Sequence, residues 1–124
     1  MRNPRLLMMH GRTARELYPR KGIVAGCSLA TTLVKVYYAR AFDELRARLP
    51  RAMSFDVHID DIIMTMVGRP EEVVESLAAA HEELRRTITL VLKGRVAEAK
   101  TNAVGSTREV ATGLCRRLGI EGKV

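Results

Sequence analysis

The first strong pattern is a stripe of apolar side chains between residues 29 and 49. These side chains recur at three- and four-residue spacing, which is typical of one face of an amphipathic helix, and they are Leu33, Val34, Tyr37, Tyr38, Ala41, Phe42, Leu45 and Leu49. Ser28 is a candidate N-cap for this helix. Pro50 predicts its end, because proline disfavours helical backbone angles in the residue before it.

The pattern then changes to the two-residue period of a strand. Residues 54–59 alternate polar and apolar side chains, and residues 62–67 form a second run suited to a strand. Only Asp60 and Asp61 separate the two runs, and two turn-tolerant residues between strand-like runs are typical of a hairpin. We therefore predict a β-hairpin with Asp60 and Asp61 at its tip.

A second helical stripe follows the predicted hairpin. Pro70 suits a first helical position, and Glu71 and Glu72 would lie beside the positive end of the helix dipole. The stripe itself comprises Val73, Val74, Leu77, Ala78, His81, Leu84 and Ile88. A helix starting at residue 70 is the prediction.

The remaining pattern predicts two short strands and a last helix. Residues 90–92 and 101–104 have the composition of strands on either side of a turn at residues 93–95. Residues 106–109 read Ser-Thr-Arg-Glu, a capping box that opens a helix, and Gly119 predicts where this helix stops. The predicted fold class is α+β, with a short antiparallel sheet that includes the hairpin and packs against two or three helices.

Composition and charge add a preference for anionic partners. The 124 residues are one domain's worth of sequence or a piece of a larger one, with a net charge of +7 and a pI near 10.0. Residues 1–21 carry six Arg or Lys and form a basic N-terminal arm or a truncated end, before a domain at 22–124. Two cysteines without a shared motif indicate a reducing intracellular compartment, cytoplasmic or nuclear, and no apolar run is long enough to span a membrane.

The acidic pair is the candidate chemistry of the chain. Adjacent carboxylates repel each other, and a divalent cation such as Mg²⁺ or Mn²⁺ removes that repulsion. Apolar strands on either side would hold Asp60 and Asp61 in a fixed place, which two-metal phosphoryl chemistry requires. The alternative is that both residues are ordinary polar turn residues.

The order of these features resembles a reverse-transcriptase palm of the retrotransposon type. A glycine-containing loop at residues 22–28 opens a helix, and the hairpin sequence at residues 58–61 is His-Ile-Asp-Asp. A helix, a Leu-Lys-Gly segment at residues 92–94 and a Lys-Thr pair at residues 100–101 follow. The resemblance covers approximately residues 20–120, and it rests on the order and spacing of the motifs.

This resemblance implies an RNA-directed DNA polymerase, which transfers deoxynucleotides to the primer 3′ end on a nucleic-acid template. It implies that Asp60 and Asp61 hold catalytic Mg²⁺ and that Lys100 lies near the incoming triphosphate. A lysine there would offset charge that develops on the phosphate oxygens. The residues expected to lie against nucleic acid or nucleotide are Gly22, Gly26, Cys27, Ser28 and His58.

Departures from the family pattern lead us to expect that the chain alone does not polymerise. Val24 and Ala25 replace the Pro-Gln of the family loop, and His58 replaces an aromatic residue. The family has a further metal-binding Asp on a strand before the loop, whereas residues 1–21 contain no Asp. The alternative functions are a non-catalytic basic module that binds nucleic acid or docks a partner, and a remnant without activity.

Overall fold

The structure is a computed structural model that describes residues 8–9, 12–13 and 28–120. The chain divides into two compact units, Met1–Leu33 and Val34–Val124. In the first unit, strand β1 (Met8–Met9) pairs antiparallel with strand β2 (Arg12–Thr13). Most of the predicted basic arm lies outside the described residues.

The main elements described after β2 are three α-helices and one two-stranded antiparallel sheet. In chain order they are α1 (Ala30–Arg48), β3 (Met53–His58), β4 (Asp61–Met66), α2 (Pro70–Arg86) and α3 (Arg108–Leu118). The predicted α+β class is confirmed at this level, and a polymerase palm stays a prediction. No helix within the described residues is long and apolar enough to cross a membrane.

The first core lies between α1, the hairpin and the end of α2. Leu45 has no exposed surface, and the rings of Phe42 and Phe55 meet edge to face with centroids 5.7 Å apart. The buried members of this core are Ala41, Phe42, Leu45, Phe55, Leu84 and Leu92. Because Phe55 belongs to the hairpin and Leu84 to α2, the hairpin packs against two helices, as predicted.

The ends of α1 and α2 also follow the sequence. Helix α1 ends at Arg48, two residues before Pro50. Helix α2 begins with Pro70 as its first residue, and Glu71 and Glu72 lie in its first turn. Both predicted helices are confirmed.

A π-helical turn, Thr87–Val91, replaces the strand predicted at residues 90–92. Its defining hydrogen bond runs from the backbone N–H of Leu92 to the carbonyl of Thr87 at 3.1 Å. The first core takes up three residues of this segment that are spaced four apart, Leu84, Ile88 and Leu92. A spacing of four residues is longer than the 3.6-residue turn of an α-helix. The wider turn keeps Leu92 on the core side, so packing overrides the strand preference of this segment.

A second core joins α2 to α3. Its buried members are Ala103, Leu114, Cys115 and Ile120, with Val74, Leu77 and Leu118 packed against them. Ala103 is the buried residue of the segment 101–104, which was predicted as a strand and is not one in the structure. A strand there would need a neighbouring strand to satisfy its backbone, and the sheet with β3 and β4 has no further member among the described residues.

Both ends of α3 are fixed by local hydrogen bonds. Thr107 is the N-cap and its hydroxyl accepts a hydrogen bond from the N–H of Val110 at 3.3 Å, so the cap lies one residue after the predicted Ser106. Gly119 adopts φ 68°, and the N–H of Ile120 donates to the carbonyl of Cys115 at 3.0 Å. This is a Schellman-type ending, and it confirms the predicted stop.

Candidate functional site

The hairpin turns one residue earlier than predicted. His58 pairs with Asp61, so the two loop residues are Ile59 and Asp60, and Asp61 is the first residue of β4. The sequence pattern placed Asp60 and Asp61 together in the loop. The structure corrects this, although both acids remain at the bend.

Ile59 has an unusual backbone conformation at the bend. Its φ is 59°, a region that β-branched residues rarely adopt, whereas Asp60 does not share it. A left-handed backbone costs an L-residue with a Cβ roughly 1–2 kcal/mol. The core beneath the strands must hold this turn, and its strain lies next to the acidic pair.

The register sorts the hairpin into an apolar face and a polar face. Phe55 lies opposite Met64, and both contact the first core. On the other face His58 lies opposite Asp61, and Asp56 lies opposite Ile63. Residues paired across an antiparallel sheet have their side chains on the same face. Asp61 therefore shares its face with His58 and Asp56.

The carboxylates at the bend have no cationic partner in the part of the chain that the structure describes. Asp60 and Asp61 are exposed, and neither makes an ion pair or a side-chain hydrogen bond with a described residue. Asp56 differs, since its Oδ2 accepts a hydrogen bond of 2.7 Å from the Ser54 hydroxyl. The repulsion between Asp60 and Asp61 is thus left to solvent and ions to screen.

The described residues do not form a complete metal centre. No group of three or more His, Cys, Asp or Glu residues among them is arranged to hold a metal ion. Asp60 and Asp61 could supply two carboxylates to a divalent ion whose other ligands are water, an arrangement that Mg²⁺ tolerates because it retains several waters. Binding of an ion at the bend stays a prediction.

Other predicted site residues are only partly brought to the hairpin. His58 lies beside the acidic pair through its pairing with Asp61, and Ser28 is exposed in the turn before α1. Lys100 is exposed at the end of a 3-10 turn, Glu98–Lys100, whose observed ion pair is with α2 rather than with the hairpin. The remaining three, Gly22, Gly26 and Cys27, lie outside the described residues.

Sequence reasoning missed a groove of about 690 Å³ along α2. Its titratable lining residues are Glu75, His81, Glu82, Arg85, Glu98 and Arg117. We call it the α2–α3 groove, because Arg117 of α3 binds Glu75 of α2 through two oxygens, at 2.6 and 2.7 Å. The hydrogen bond from Arg117 lowers the pKa of Glu75.

The groove neutralises most of its own charge. Arg85 contacts Glu98 at 3.2 Å and Glu82 at 3.3 Å. Burial lowers the pKa of His81, and the neighbouring Arg85 lowers it further, whereas Glu82 and Glu98 act in the opposite direction. Glu75 and Arg117 are 42 residues apart, so no local sequence pattern could have paired them.

The basic charge of the protein is unevenly distributed. Residues 28–120 contain 14 Lys or Arg and 12 Asp or Glu, a net charge of +2. Residues 1–27 contain six Lys or Arg and one Glu, a net charge of +5. Most of the net positive charge therefore lies in the N-terminal residues.

Comparison with known proteins adds no relative. No protein-family model matches the chain, no curated protein matches it significantly, and no solved structure matches it significantly. The similarity to a reverse-transcriptase palm therefore rests on the motifs quoted from the sequence.

Proposed function

We propose that this chain is part of a reverse-transcriptase palm of the retrotransposon type and that its hairpin binds Mg²⁺ or Mn²⁺. The observation that carries the proposal is the adjacent acidic pair, Asp60 and Asp61, at the bend of a hairpin anchored to two helices. The order of the motifs before and after this hairpin supports the same family.

The hairpin has the support that a fixed metal-binding bend needs. Phe55 is buried against Phe42, and the guanidinium of Arg46 donates a 3.1 Å hydrogen bond to the backbone carbonyl of Phe55. Met64 of the opposite strand packs on the same core. These contacts come from both strands, so the bend is held relative to α1 and α2.

In the proposed reaction each residue at the bend has a limited role. Asp60 and Asp61 bind the divalent ion, which when bound stabilises negative charge on the phosphates of the nucleotide. His58 lies beside the pair and would contact the primer or nucleotide. Lys100 would offset phosphate charge only if its turn approaches the nucleotide, and Glu98 of that turn forms an ion pair with Arg85 of α2.

The chain alone is expected to be inactive as a polymerase. The further metal-binding Asp of the family pattern has no counterpart in residues 1–21, and the described residues group no third metal-ligating side chain with Asp60 and Asp61. Primer extension with purified protein, an RNA template and Mg²⁺ tests this expectation. Incorporation that Asp60→Asn abolishes would contradict it and would show a complete active site.

Metal binding at the bend is tested by Mn²⁺ titration followed by NMR. We expect paramagnetic broadening of amide signals near residues 58–62, and its loss in the Asp60→Asn/Asp61→Asn protein. Glu71→Gln/Glu72→Gln is the matched control, because these two glutamates are also adjacent and exposed but lie in the first turn of α2. Broadening that is lost in the Glu71→Gln/Glu72→Gln protein and kept in the Asp60→Asn/Asp61→Asn protein would refute a metal site at the hairpin.

The charge distribution favours a second candidate function, a basic module that binds nucleic acid without catalysis. The +5 charge of residues 1–27 would contact phosphates and release counterions. Binding of labelled RNA should then weaken steeply with salt, and replacing Arg12, Arg15, Arg20 and Lys21 by Gln should reduce the salt dependence. Affinity that instead depends on Asp60, Asp61 and Mg²⁺ would favour the polymerase-derived proposal.

A further inference from the structure

The two edges of the hairpin differ in how their backbone groups are satisfied. In an antiparallel pair, residues alternate between those that bond across the pair and those whose N–H and C=O point away from it. The carbonyl of Phe55 accepts a hydrogen bond from Arg46 of α1, so Phe55 is of the outward-pointing kind and its edge of β3 is covered there.

The opposite edge, on β4, has no such cover. Because Phe55 pairs with Met64, the outward-pointing residues of β4 are Ile62, Met64 and Met66. Their outward backbone groups have no hydrogen-bond partner among the described residues. Each of these residues is half-buried.

The side chains of β4 also suit a partner strand. Ile63 is 60% exposed, and Val67, immediately after the strand, is 87% exposed. Within β4 the first residue, Asp61, carries the only charge, and the strand has no proline or lysine to block pairing.

We propose that β4 pairs antiparallel with β4 of a second copy of this chain, which gives a four-stranded sheet across a two-fold axis. With Met64 at the axis, Ile62 of one copy lies opposite Met66 of the other. The outward-pointing residues of both strands then face one another, so each free N–H meets a free C=O. The edge is self-complementary in this register.

Charge complementarity favours a second copy as the occupant of this edge. In the same register Asp61 lies opposite Val67 of the other copy, the residue directly after β4, and Arg69 follows two residues later. The acidic bend of one chain therefore meets the end of β4 that leads to Arg69 in the other, and the side chain of Arg69 is 89% exposed with a long ion pair to Glu72, at 3.8 Å. No like charges face each other across the pair, and this pairing does not depend on metal binding.

Sedimentation equilibrium of the purified chain over a wide concentration range tests the proposal. We expect a reversible dimer that persists at high salt, because backbone hydrogen bonds and apolar contacts hold it. Ile63→Lys should weaken the dimer about tenfold or more, since the two introduced lysines lie near the axis. Ser54→Lys is the matched control: it places the same charge on the same face of the hairpin, but on β3.

Hydrogen exchange of the Met64 amide provides a second measurement that does not depend on any variant. In the dimer this amide should exchange more slowly as the protein concentration rises. A monomer at all concentrations would overturn the proposal, whether the Met64 amide is exposed or is protected by another segment of the same chain. A dimer that Ser54→Lys weakens as much as Ile63→Lys would overturn it as well.

Discussion

The hairpin bend and the α2–α3 groove hold their acidic residues in opposite ways. In the groove, Glu75 accepts two short hydrogen bonds from Arg117, and the pKa of Glu75 falls. At the bend, Asp60 and Asp61 have no cationic partner among the described residues. The groove holds more titratable residues than the bend, yet the charges in the groove already compensate one another.

This difference indicates that pairing of charges, rather than cavity size, separates a structural cluster from a candidate site. Charges that already have protein partners gain little from a ligand, because a ligand must first displace those partners. Charges that only water and ions screen gain from a bound cation. On this criterion the bend is the better candidate for ion binding.

The largest expected effect comes from removing the support of the bend. Phe55→Ala deletes a buried ring from the first core and should lower the free energy of unfolding by about 3–5 kcal/mol. Urea denaturation measures this loss. Phe55→Leu is the control and should lose less, because it retains most of the apolar contact. An equal loss in both variants would mean that ring packing against Phe42 does not anchor the hairpin.

A smaller effect of the opposite sign is expected at the turn. Ile59→Gly removes the cost of a left-handed backbone at a β-branched residue, so the free energy of unfolding should rise by about 1 kcal/mol. Val57→Gly is the control on the strand beside it, and it should be destabilising. Urea midpoints that fall for both variants would contradict a strained turn at Ile59.

The same turn explains where sequence reasoning stopped. The predicted loop is Asp60 and Asp61, and the observed loop is Ile59 and Asp60. Moving the loop by one residue shifts the partner of each β3 residue by two positions along β4. Such a shift leaves Phe55 and Val57 on the apolar face in either case, so the alternating pattern cannot distinguish the registers. The observed register also places Met53, which is 4% exposed, opposite Met66 and extends the apolar face.

The helices were easier to predict because their signals agree. In α1 the apolar stripe and Pro50 indicate the same end, and in α3 Gly119 both ends the apolar pattern and adopts the required backbone. Residues 87–92 are rich in β-branched side chains, which favour a strand, but Leu92 is drawn to the first core by its spacing from Leu84. Tertiary packing decided that segment, and a local pattern cannot contain that information.

The comparison also predicts that Mg²⁺ stabilises the protein through the bend. A ligand that binds only the folded state adds about 0.4 kcal/mol to the free energy of unfolding when its concentration equals its Kd. We expect a gain of this order in millimolar Mg²⁺ that disappears in Asp60→Asn/Asp61→Asn. Glu75→Gln should leave the gain unchanged, because Glu75 is paired with Arg117. If Glu75→Gln removed the gain in the free energy of unfolding, the ion would bind in the α2–α3 groove and not at the bend.

The smallest expected effect is a pH dependence from the groove. Burial, aided by Arg85, lowers the pKa of His81 below 6.5, so in the window beneath that value the unfolded chain binds more protons than the folded one. Stability should therefore fall as the pH is lowered through this window. Urea midpoints at about pH 7.5 and about pH 5.5 measure the fall, which His81→Gln should reduce. His58→Gln is the matched control outside the groove, and an equal reduction in both proteins would show that the environment of His81 is not the cause.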